Sequence, residues 1–132
     1  MYSVLRFITS DTSKLKKAVK IGEEINSLIP GKYDGLRKAG DGFACSASDN
    51  EDWTSHQTEI IEFLEKIGNP ISVARSEGID TVLDISVGSD IRTLMSSYRF
   101  SEALLRALVE SGVALEISIY NVVRSTELAQ EG

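Results

Sequence analysis

His56 is the only histidine of the chain and the residue best suited to acid–base chemistry. Ser55 precedes it and Asp52 lies nearby, so the three side-chain types of a hydrolytic triad occur close together. Groups that are adjacent in sequence rarely adopt triad geometry, because a triad is recognised by its spatial arrangement. We therefore interpret His56 as a solvated residue in the first turn of a helix, and we predict no catalytic residues and no enzymatic activity.

An acidic turn, Asp49-Asn-Glu-Asp52, comes directly before that helix. Its oxygens could bind a hard cation, but the spacing lacks the alternating ligands and the turn glycine of a calcium loop. One histidine and one cysteine cannot supply a closed zinc site. We predict no metal and no cofactor, and we interpret the turn as negative charge that favours the helix N-terminus.

Trp53 follows the acidic turn and allows two interpretations. As an exposed side chain beside carboxylates, it would be a hot spot for a protein partner. As a residue just before a helix cap at Thr54, it would instead pack onto the helix or the core. We favour the structural role and keep Trp53, with the acidic turn, among the candidate partner-binding residues.

Lysines crowd the start of the first predicted helix, where their charge opposes the helix dipole. They are Lys14, Lys16, Lys17 and Lys20. We interpret them as a solvated face, and the alternative is a site for an anionic ligand. Residues 31–42 are rich in glycine but contain no Walker pattern, so a nucleotide loop is not expected.

Composition limits the possible functions. The chain has 132 residues and a net charge of −6, which predicts one acidic globular domain over residues 1–132 and disfavours nonspecific nucleic-acid binding. No apolar run approaches the roughly 20 residues that a membrane span needs. A single cysteine and the absence of a signal peptide predict a cytoplasmic protein. We expect a monomer or a homodimer.

The positions of apolar residues predict four strands and three to four helices. The predicted strands are residues 2–9, 43–48, 81–87 and 115–120. The predicted helices begin near Leu15, Thr54, Pro70 and Ser101, and the last ends at Gly112. The buried residues are predicted to include Leu104, Leu105, Leu108 and Val109 in the last helix, and Leu115, Ile117 and Ile119 in the last strand.

The third and fourth predicted strands alternate apolar and polar residues, which is typical of a sheet covered on one face. The predicted fold is therefore α+β: an open-faced two-layer sandwich with an approximately four-stranded sheet and three to four helices on one face. The polar face would be free for a partner. The candidate partner-binding residues are Asp84, Ser86, Glu116, Ser118 and Tyr120 on that face, and Asp49, Glu51, Asp52 and Trp53 in the acidic turn.

Residues 43–123 resemble the bacterial family called domain of unknown function 4279. The likeness rests on Trp53-Thr-Ser55 before a helix rich in Leu and Ile, on residues 71–87, and on Phe100-Ser-Glu-Ala-Leu-Leu with Leu115-Glu-Ile-Ser-Ile-Tyr120. The resemblance implies a compact α+β domain and, for some members, an immunity role near toxin systems.

We therefore predict a non-enzymatic protein-interaction domain, with an immunity-type inhibitor of a basic toxin as one form. The alternative is a small-ligand-binding or carboxylate-dependent enzyme domain. Its site would lie near residues 31–42 and use Asp34, Asp41 or Asp84.

Overall fold

The computed structural model describes residues 1–31, 33–36, 42–90 and 97–122. The strands are β1 (Tyr2–Ile8), β2 (Tyr33–Leu36), β3 (Gly42–Ser48), β4 (Asp80–Asp90) and β5 (Ala114–Val122). The helices are a 3-10 turn (Thr12–Lys14), α1 (Leu15–Leu28), α2 (Trp53–Lys66), α3 (Gly68–Ser76) and α4 (Glu102–Ser111). The predicted α+β two-layer fold is confirmed. Strand β2 is a short edge strand in a segment for which the sequence predicts a connection.

The strand order of the sheet is β2-β3-β1-β4-β5. The first strand of the chain, β1, lies at the centre and runs antiparallel to both β3 and β4. Strands β4 and β5 are parallel and are joined through α4, since parallel neighbours need a crossover connection. One end of the sheet therefore collects the start of β1, the ends of β4 and β5, and the start of α4.

The core lies between the sheet and the four helices. Alternate residues of β1 point into it, and the ring of Phe7 stacks on Phe43 of β3 with 4.4 Å between ring centroids. Cys45 is buried on the same face, as predicted for a small apolar side chain. The helices contribute buried residues that include Ile21, Ile25, Ile60, Leu64, Ile71 and Leu104.

The start of α2 differs from the prediction. The cap is Asp52 rather than Thr54, and its carboxylate accepts a hydrogen bond from the Ser55 backbone N–H at 2.9 Å. The helix therefore begins at Trp53, and His56 lies on the face that packs against the sheet. The predicted ends of α4 are confirmed, because Ser101 caps it and Gly112 ends it with a φ of 68°.

The predicted burial of the last helix and strand is wrong in part. Leu104 and Leu108 are buried, but the other five predicted residues are exposed. These exposed residues are Leu105, Val109, Leu115, Ile117 and Ile119. The reason is position: β5 is an edge strand, and within the described residues no element lies beyond it.

Candidate functional site

A cleft of about 350 Å³ opens at the end of the sheet where β4 and β5 finish and β1 begins. Its volume lies at the lower end of the range for ligand sites. Three aromatic side chains and one carboxylate dominate its lining. The lining residues are Met1, Glu51, Trp53, Val87, Gly88, Tyr98 and Tyr120.

Trp53 is held rigidly in this cleft. Its indole N–H donates a hydrogen bond to the Arg99 carbonyl oxygen at 2.7 Å. The rings of Tyr98 and Phe100 meet it edge to face, with centroid distances of 5.5 Å and 5.3 Å, and the His56 ring stacks on it at 5.8 Å. The predicted structural role of Trp53 therefore holds, since it packs against the core, and the same side chain also lines the cleft.

His56 is fully buried, so its predicted position in solvent is wrong. Its Nδ1–H donates to the Asn50 carbonyl oxygen at 2.8 Å, because a carbonyl can only accept. In the neutral imidazole Nε2 then accepts a hydrogen bond from the hydroxyl of Ser3 on β1. Neither Ser55 nor Asp52 takes part, since those two residues bond to each other at the helix cap. The Ser3–His56 pair has no access to a substrate because both residues are buried.

The two acidic residues nearest the cleft, Glu51 and Asp52, have different partners. The Glu51 carboxylate pairs with the Met1 amino group at 3.0 Å, yet 83% of the Glu51 side chain is exposed. Asp52 lies beside the cleft rather than in its lining. Hydrogen bonds from the backbone and the hydroxyl of Ser55 lower the pKa of the Asp52 carboxyl below its ordinary value. Glu51 is therefore the carboxylate of the cleft lining, and a bound cation would share it with the Met1 amino group.

The polar face of the sheet is less open than predicted. Asp84 is buried, since the guanidinium of Arg6 from β1 and the hydroxyl of Ser118 from β5 both bond to its carboxylate. Arg6 also lies 3.9 Å from Glu116, which is half exposed. Ser86 is buried as well. Asp84 and Ser86 are therefore not free contacts for a partner, because their neighbours in the sheet cover them.

The remaining candidates lie apart from the cleft. Asp49 lines a hollow of about 170 Å³ together with Glu59, Glu62 and Lys66. Lys17 pairs with Glu77 at 2.6 Å, which ties one lysine of the first helix to the end of α3.

The ligand site suggested near residues 31–42 falls half outside the described residues. Lys32 and residues 37–41, including Asp41, are not described, and the backbone of Asp34 lies in β2. The third suggested carboxylate, Asp84, is held by Arg6.

In the described part of the chain, no three His, Cys, Asp or Glu side chains lie close enough together to hold a metal ion. The helices of that same part are all too short or too polar to cross a bilayer. No family model, no curated protein and no solved structure matches this chain.

The structure thus brings together three predicted residues, Glu51, Trp53 and Tyr120, from two predicted surfaces. Sequence reasoning missed Tyr98 because it lies in a connection without apolar periodicity. The available signal was local: Tyr98 and Phe100 are two aromatic residues close before the helix cap at Ser101.

Proposed function

We propose that this chain is a non-enzymatic protein-interaction domain that binds an Arg or Lys side chain of a partner in the aromatic cleft. The observation that carries the proposal is the juxtaposition of Trp53, Tyr98 and Tyr120 with the exposed carboxylate of Glu51. A cation is attracted to aromatic faces and to a carboxylate at once. Trp and Tyr are also the side chains enriched in interaction hot spots.

The charge of the whole chain supports the same partner chemistry. A net charge of −6 attracts basic proteins over a distance and speeds their association. Rigid aromatic rings lose little entropy on binding, because Trp53 is already fixed by its bond to Arg99. Inhibition of a basic toxin by an immunity-type protein is one function that such a surface would serve.

Fluorescence tests this proposal directly, because Trp53 is the only tryptophan and lines the cleft. The probe is a blocked tetra-arginine peptide, compared with a citrulline peptide that has the same shape without charge. We expect a saturable change in Trp53 emission with the arginine peptide and a much weaker one with citrulline. The absence of a saturable response to arginine would contradict the proposal.

Variants locate the binding site. Tyr120→Ala should weaken peptide binding about 5-fold, in line with roughly 1 kcal/mol for a cation–π contact. Glu51→Gln should weaken it by a similar factor and reduce its salt dependence. Tyr2→Ala is the matched control, since Tyr2 is as exposed as Tyr120 but does not line the cleft. Equal losses from Tyr2→Ala and Tyr120→Ala would mean that the peptide binds elsewhere.

A further inference from the structure

An apolar surface lies at the β5 edge of the molecule. It consists of Leu105 and Val109 on α4, and Leu115, Ile117 and Ile119 on β5, and we call it the edge surface. All five side chains are exposed, and Val109 and Ile119 reach 80% and 72%. Large exposed apolar patches in soluble proteins mark interaction sites.

The five residues lie on the same side of the sheet. The parallel register pairs Leu115 with Leu83 and Ile117 with Ile85, whose side chains are buried under the helices. The β5 residues therefore point to the helix side as well. Phe100, just before the cap of α4, and Ala107 on α4 both pack against the core, and Phe100 contacts Trp53 of α2. Helical geometry then turns Leu105 and Val109 away from α2, towards the outer edge of β5.

The backbone of β5 also has hydrogen-bonding groups that are free to pair with another strand. It is an edge strand of nine residues, so its outer N–H and C=O groups have no strand partner among the described residues. The segment from Ala114 to Tyr120 carries neither the lysine nor the proline with which proteins usually protect a sheet edge. A partner that fits this edge must offer an extended strand, which hydrogen-bonds to the backbone of β5. It must also offer a helix beside that strand, which covers the apolar side chains.

We infer that the occupant is a second copy of this chain, with β5 pairing antiparallel to β5 of the partner across a two-fold axis. A two-fold axis perpendicular to the sheet places the helices of both copies on the same face of the joined sheet. Leu105 and Val109 of one copy then lie beside those of the other copy, above the paired β5 strands. The same patch then serves both partners and produces one continuous sheet.

Charge permits this pairing despite the acidity of the chain. Glu116 is the only charged residue from Ala114 to Tyr120, and Arg6 lies 3.9 Å from its carboxylate. Pairing centred on Ile117 places Glu116 opposite Ser118 of the other copy. Pairing centred on Ser118 places it opposite Tyr120. In both registers no like charges face each other across the strands.

The size of the edge surface suits a dimer. Pairing centred on Ser118 joins all nine residues of β5, which makes a joint about 30 Å long. The sheet and helix layers together are about 20 Å deep, which gives roughly 1,200 Å² of buried surface in total. That value lies at the lower end of the range for specific interfaces. A reversible dimer is therefore the expected state.

Sedimentation equilibrium of the full chain tests the dimer. We expect a mass of twice 14.4 kDa at high protein concentration, with dissociation on dilution. Val109→Asp should raise the dimer dissociation constant about tenfold or more, because each copy would bury an unpaired charge. Val73→Asp is the matched control, since Val73 is an exposed valine on α3, and it should leave the constant unchanged.

Three results would overturn the inference: a monomer mass at every concentration, a dimer that Val109→Asp leaves intact, or equal weakening by Val73→Asp. Amide hydrogen exchange separates strand pairing from contact between helices alone. Protection of alternate amides between Ala114 and Tyr120 should rise with protein concentration in the unmodified chain and not in the Val109→Asp variant. Protection that does not depend on concentration would contradict pairing through β5.

Discussion

The interior of the sheet and its β5 edge both depart from the usual pattern of buried apolar and exposed charged side chains. At the centre, the carboxylate of Asp84 on β4 is only 1% exposed. At the edge, Ile119 on β5 is largely exposed although it is apolar. Among the described residues, β4 has neighbouring strands on both sides and β5 has a neighbour on one side. Position in the sheet thus decides burial here, and the buried carboxylate of Asp84 gains hydrogen bonds from Arg6 and Ser118.

The largest expected effect comes from breaking the polar contact at the centre. Arg6→Ala leaves Asp84 buried with only Ser118 as a side-chain partner, so we expect a loss of about 3 kcal/mol in the free energy of unfolding. Urea denaturation measures this loss. The double variant Arg6→Ala with Asp84→Ala should recover part of the stability, because no buried charge is left. A loss in the single variant that is no larger than in the double variant would contradict the assigned role.

Substitutions at Leu104 and Val109 compare the core with the edge surface, because both residues lie on α4. Leu104 is fully buried, so Leu104→Ala should cost about 3 kcal/mol of unfolding free energy through lost contacts and a cavity. Val109→Ala should change it by less than about 0.5 kcal/mol when the chain is kept monomeric by dilution. Similar costs at both positions would show that Val109 is covered in the isolated chain.

A smaller effect is expected at the hydrogen bond between Ser3 and His56. Ser3→Ala removes the donor to Nε2 of a buried imidazole, which should cost about 1–2 kcal/mol of unfolding free energy. Ser72→Ala, on the exposed face of α3, is the control and should change stability by less than about 0.5 kcal/mol. Nitrogen NMR of the imidazole should identify the Nδ1–H tautomer in the unmodified chain, and observation of the other tautomer would contradict the bond to Asn50.

The smallest effect concerns the cap of α2 and depends on pH. The pKa of Asp52 is lowered by its bonds to Ser55, so its carboxylate stabilises the folded chain above its ordinary pKa of 3.8. That contribution is lost as the pH falls through the lowered pKa of the folded state. Thermal unfolding should therefore show Asp52→Ala to be less stable than the unmodified chain near neutral pH, with the difference shrinking in acid. A difference that grew on acidification would contradict the cap.

Apolar periodicity was sufficient to predict the fold class and most elements. Helical and alternating patterns depend on local geometry, so the ends of α4 at Ser101 and Gly112 followed from the sequence. Burial did not follow so simply. Leu104 and Leu105 are adjacent apolar residues in one helix, and only the neighbouring elements decide which of them is covered.

The candidate cleft was predictable only in parts. The sequence indicates Glu51, Trp53 and Tyr120 as separate candidates, but their proximity depends on the parallel pairing of β4 with β5 and on the position of β1. The buried position of His56 depends on an N-cap two residues earlier than the sequence predicts, at Asp52 instead of Thr54. Asp52 and Thr54 both belong to residue types favoured at N-caps, so composition did not distinguish between the two.

The central position of β1 has a consequence for synthesis on the ribosome. Arg6 bonds to Asp84, which lies 78 residues further along the chain. At about 5–20 residues per second, β1 waits roughly 4–16 s after its own translation before its partner on β4 has been made. Until then β3 is the only neighbour of β1 that has been made, so the other edge of β1 has no strand partner. The fold therefore closes late in translation, and its first strand is among the last to be completed.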